Sequence, residues 1–139
     1  MKSGLIAVTE HQKAINQQHL EKYLQTTVFP FTYQNFTGIS VRVESADDYH
    51  NSIYPWKLIK DAEQSWITTN LDNVQLLARS ELSEAYKILG TWTGENGREL
   101  RSFQAIWIAV QKNDTWGIQF RHNLGTILPI ETALPFYQD

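Results

Sequence analysis

Residues 102–123 read SFQAIWIAVQKNDTWGIQFRHN, and they limit the fold more tightly than any other stretch. At a strand period of two, Phe103, Ala105, Trp107 and Ala109 share one side of the first run. Gln104, Ile106, Ile108 and Val110 share the other, so this strand is apolar on both faces. An antiparallel sheet with one wet face has no use for that. One face must pack on helices, and the other needs a second cover: the same sheet curled over, or a second copy of the chain. In the partner run, alternation places Trp116, Ile118, Phe120 and His122 on one side and Gln119 and Arg121 on the other. The expected arrangement is a strongly curved sheet with its concave side on helices and its convex side forming a homodimer.

The rest of the chain supplies the helices and the other strands. Thr9 and Gln12 have capping-box spacing, and no Gly or Pro follows until Pro30. A helix from Thr9 to about Phe29 is expected, with Val8, Ile15, Leu20, Tyr23 and Leu24 over half its circumference. FTYQNFTGISVRVES reads as a hairpin turning at Asn35 to Gly38. Ser45 and Asp48 repeat the capping pattern ahead of a short helix, Ala46 to about Ile53, stopped by Pro55. Pro55 to Ala62 fits either a loop or a helical turn. From Trp66 onward the pattern is all β. One or two strands break at Asp72-Asn73, another runs through AYKILGTWTG, and Glu95-Asn96-Gly97 turns into the opening stretch. Asn113-Asp114 is its internal turn, since both residues tolerate positive φ. Pro129 and Pro135 mark the tail from Ile127 as an extended edge or arm. Helices ahead of an antiparallel or mixed sheet make an α+β fold, expected as a single domain over residues 1–139.

Composition removes several functions. Twelve Lys and Arg against 15 Asp and Glu leave a net charge of −3, with no basic cluster, so nucleic acid is not an expected partner. With no cysteine there is no disulfide, thiolate nucleophile or Cys-bound metal. The apolar patch Leu5 to Val8 is too short for a signal-peptide core, and the run Ala105 to Val110 is too short to cross a membrane. A cytoplasmic protein without membrane association is the expectation.

The stretch ENGRELRSFQAIWIAVQKNDTWGIQFRHN resembles the nuclear transport factor 2-like superfamily, also called SnoaL-like or cystatin-like. It shares a Gly turn, a Ser-Phe strand with a mid-strand aromatic, a short turn, and Trp-Gly-Ile entering the last strand. The turn departs from the usual pattern, with Asn113, Asp114 and Thr115 where Asp-Gly and a basic residue are common. The resemblance implies a cone-shaped pocket between helices and sheet, and frequent homodimers. It implies no single activity, because the fold hosts isomerases, dehydratases, hydrolases and plain binding domains.

Enzymes of that superfamily use a buried carboxylate as general base, a role this sequence does not fill on its late strands. Ala85–Thr93, Leu100–Lys112 and Thr115–Asn123 hold no Asp or Glu; the nearby acids Glu81, Glu84, Glu95, Glu99 and Asp114 precede these strands or sit in turns. Asp47 and Asp48 suit the first turn of a helix. His122 reads either as a proton shuttle or ligand donor at the pocket mouth, or as a strand-end histidine bonded to its neighbours. Arg121 points the other way, where it either grips an anionic ligand or sits at a dimer edge. His11 and His19 differ by about 80° around a helix, and with His50 they are assigned to solvated polar faces, so no metal site or cofactor is expected. Among the many aromatics, Tyr23 and Trp107 are the expected cavity lining. The resulting reading is a protein binding a small apolar molecule in a cone-shaped pocket. The alternatives are an isomerase, dehydratase or hydrolase of an apolar substrate, and a dimerisation module whose pocket is filled by its own side chains.

Overall fold

The structure, a computed structural model, describes residues 3–51 and 54–129. Helix α1, Gly4–Gln17, starts earlier than expected because Ser3 caps it, its hydroxyl accepting the Ile6 N–H at 3.2 Å. Thr9 lies inside the helix and donates its hydroxyl to the Leu5 carbonyl. Gly4, Ala7, Val8, His11, Ala14 and Ile15 form the buried stripe, three or four residues apart. At Gln18 the backbone turns left-handed, φ 52°, and the helix stops. A second helix, α2, covers Leu20–Gln25. The single helix expected to Phe29 is therefore two, and Pro30 does not end either.

Pro30 instead lies inside strand β1, Thr27–Asn35. It falls between the pairs Thr27↔Ile118 and Thr32↔Phe120, where the register slips and no ladder N–H is required of it. Strand β2, Ser40–Val43, pairs antiparallel with β1, as the hairpin reading expected. The Asn35 side-chain oxygen accepts the N–H groups of Thr37 and Ile39 and holds the turn. Ser45 does cap the next segment, accepting the Asp48 N–H at 3.4 Å, but that segment is a 3-10 turn, Asp47–Asn51. Ile53 lies outside the described residues. Pro55 begins a helix rather than stopping one: α3, Pro55–Ala62, uses it in the first turn, where its missing N–H costs nothing.

Four strands follow: β3 Thr68–Arg79, β4 Ser83–Thr93, β5 Glu99–Lys112 and β6 Thr115–Gly125. Asp72 is a bulge within one strand, since Leu71 pairs with Gly90 and Asn73 with Leu89. Asn113 and Asp114 adopt φ 55° and 62°, as their turn requires. Residues 127–129 have no regular structure, and the rest of the expected arm lies outside the described residues. Among the described residues six strands form one mixed sheet in the order β2-β1-β6-β5-β4-β3. Of these strands only β1 and β6 run parallel to each other, so the N-terminal hairpin docks on β6, the end of the meander. Helix α1 lies across β3, β5 and β6.

One irregularity decides which side chains face those helices. Ile108 pairs with Phe120 but Ala109 pairs with Ile118, so Gln119 is an extra residue. The expected set Trp116, Ile118, Phe120 and His122 is thereby split. Trp116 and Ile118 are buried with Ala109 on the helix side, while Phe120 and His122 oppose Ile108 and Ile106 on the outer side. Arg121 opposes Trp107 and turns inward, 4% exposed. On the outer face Ile106, Ile108 and Val110 are half-buried in a single copy.

Candidate functional site

Between α1, α3 and the inner face of the sheet lies a cavity of about 50 Å³. That is room for a few waters or a molecule of a few heavy atoms. Its walls are Trp92, Phe103 and Trp107 from the sheet, Ile15 and Gln12 from α1, and Leu58 and Ile59 from α3, with Tyr33 and Arg121 completing it. Among the described residues that line it, only Arg121 carries a charge. Asn16 sets the separation of α1 from the sheet: its amide donates to the Thr69 carbonyl and accepts the Thr69 N–H, both at 2.9 Å.

Arg121 is held by aromatic rings and one imidazole. Its guanidinium carbon is 5.0 Å from the Phe31 ring centre, 5.4 Å from Tyr23 and Tyr33, and 5.8 Å from Trp107. Such contacts stabilise a buried cation without neutralising it. One Nη1–H donates to His11 Nε2 at 2.7 Å. A guanidinium only donates, so Nε2 must be the bare nitrogen and the His11 proton sits on Nδ1. That N–H donates to the Thr26 hydroxyl at 2.9 Å, and the hydroxyl in turn donates to the Tyr23 carbonyl at 3.0 Å. Burial, and then the Arg121 charge, hold His11 well below the usual imidazole range, while Thr26 pulls weakly the other way. His11 is therefore neutral and has spent both nitrogens on positioning.

The sequence-expected residues divide. Trp107 and Arg121 stand in the cavity wall. Tyr23, fully buried on α2, lies behind Arg121: its ring packs on His11 at 4.6 Å and its hydroxyl meets that of Tyr49 at 2.7 Å. Burial raises the Tyr23 phenol pKa, and the nearby Arg121 charge partly offsets this. His122 is on the opposite face, where its Nδ1 contacts Gln34 Oε1 at 3.2 Å. It therefore stands away from the pocket mouth assigned to it by strict alternation.

His11 was assigned to a polar surface, yet it is completely buried. Its place three residues from Val8 and Ala14 was the available signal, obscured by starting the helix at Thr9. Glu84 was placed ahead of the strands but belongs to β4 and is buried. It accepts the Tyr86 hydroxyl at 2.8 Å near the start of α1 and lies outside the cavity wall.

No protein-family model matches this chain, and no curated protein matches it. Solved structures do. A protein of unknown function with a cystatin-like fold from Nostoc punctiforme aligns over 95% of this chain and 91% of its own, with a TM-score of 0.66 at 12% identity. A candidate calcium/calmodulin-dependent protein kinase type II association domain from Thiobacillus denitrificans aligns over 91% and 98%, with a TM-score of 0.68 at 11% identity. A candidate ketosteroid isomerase from Shewanella frigidimarina aligns over 85% and 91%, with a TM-score of 0.63 at 15% identity. Identities this low establish shape alone: the chain has the cystatin-like, or nuclear transport factor 2-like, α+β fold. Among the described residues no helix is long and apolar enough to cross a membrane.

Proposed function

We propose that this chain binds a small molecule with an apolar body in the cavity between α1, α3 and the sheet, and pairs with a second copy through the outer sheet face. The observation that carries the reading is a cavity walled by rings and aliphatic side chains, into which a few polar groups converge. Catalysis has less support. Among the described residues no carboxylate lines the cavity, and His11 has both ring nitrogens engaged. Likeness to a candidate isomerase at 15% identity does not carry that chemistry over.

The small volume, with the likeness to a candidate kinase association domain, favours a second reading as an association module with a nearly filled cone. One experiment separates the two. Native mass spectrometry of the protein as purified looks for a co-purified small molecule, and NMR titration with neutral propionamide follows the indole signals. Saturable shifts at Trp92 and Trp107 are expected. No adduct and no saturation would leave only the association module.

A further inference from the structure

We infer that the cavity is built for a small monocarboxylate, its carboxylate gripped by Arg121 and its short carbon body lying against Trp107 and Phe103. This rests on the binding reading above and specifies the ligand's charge.

Removing a guanidinium from water is costly unless an anion compensates it. Proteins usually supply that anion as Asp or Glu. Here the ion pairs among the described residues are Arg42–Glu44, Lys57–Asp61 and Arg79–Glu84, and none includes Arg121. Its partner is an imidazole kept neutral by geometry, since Nε2 must accept. The surrounding rings add attraction but no negative charge. Arg121 is thus a cation 4% exposed, uncompensated by the described residues, in the wall of a cavity.

The ligand class follows from what else is present. A guanidinium has five N–H groups in a planar fork that matches a carboxylate; His11 takes one, the neutral Tyr23 and Tyr49 hydroxyls lie close to the fork, and no carboxylate among the described residues does. A single cation balances a single negative charge. A phosphate dianion would require further cations, and among the described residues no other lining side chain is charged. Apolar walls suit a hydrocarbon body rather than a bare inorganic ion. The volume of about 50 Å³ limits that body to a few carbons. The His11–Thr26–Tyr23 relay fixes the tautomer that holds the guanidinium without competing for its charge.

The test compares propionate with propionamide, nearly the same shape without the charge, by NMR titration of the intact protein at neutral pH. Propionate is expected to bind at least about tenfold more tightly, as a charge-assisted pair should, and to shift the Arg121 Nε–H signal. In Arg121→Met the preference for propionate should vanish while propionamide still binds. A merely structural arginine would alter the variant's stability without touching that preference. Equal affinity of the two probes for the wild-type protein overturns the inference and leaves the binding reading standing. Failure of both probes to bind overturns the two together. The wild-type comparison decides the matter even if Arg121→Met does not fold.

Discussion

At the scale of single residues, His11 joins α1 to β6, and its neutrality makes stability depend on pH. The groups facing it are Thr26, Tyr23 and Phe31 from its α2–β1 side, and Arg121 and Trp107 from the sheet. Unfolded, its pKa returns to roughly 6.5; folded, it lies well below. Below the unfolded value the unfolded chain therefore holds one proton more than the native one. Stability must fall as pH drops through that value and keep falling until the folded pKa is reached, by up to about 1.4 kcal/mol per pH unit. Urea melts between pH 7.5 and pH 5 should show the loss. His11→Gln, which can still accept from Arg121 and donate to Thr26, should flatten the slope by one proton's contribution. An unchanged slope would mean that His11 is not the titrating group.

At the scale of elements, turns and bulges set which side chains meet. The Asn113-Asp114 turn needs φ of 55° and 62°, and Asp tolerates this less well than Gly. Asp114→Gly should raise stability by up to about 1 kcal/mol, read as a shifted urea midpoint at constant slope; a lowered midpoint would show that the Asp side chain matters more than its backbone. The hairpin β1–β2, this turn and the all-β second half were legible, because each rests on local backbone preference. The bulge at Gln119 was not. Nothing in WGIQFRHN marks an extra residue, since bulges answer to sheet curvature and to what packs across the strand. Strict alternation therefore placed Phe120 and His122 beside Ile118, and correctly opposed Arg121 to His122 without identifying Arg121 as the inward one.

For the whole molecule, assembly turns on the outer sheet face. Ala85, Ile108 and Phe120 are adjacent across β4, β5 and β6, with Ile106 and Leu89 alongside, all half-buried in one copy. These apolar side chains, with Lys87 and His122 flanking Ile106 among them, are the basis for the dimer proposed above. Sedimentation equilibrium at micromolar concentration should return a dimer, and Ile108→Lys should shift it to monomer while preserving the circular dichroism of the fold. A monomeric wild-type protein would remove this proposal, and the cavity would then have to be considered in a single copy.

Strand period, turn chemistry and the two-faced apolar run at residues 102–110 were decided by the sequence, because they depend on neighbours two to four positions away. With them came the α+β class, with helix and hairpin ahead of a β meander, though not the split of the first helix or the start of α3 at Pro55. The cavity, the neutral imidazole beneath it and the inward turn of Arg121 were decided only by tertiary structure. His11 and Arg121 are 110 positions apart in the chain, and local periodicity carries no term for such a meeting. A one-residue slip in β6 selects the face, and helix packing across the sheet supplies the partner.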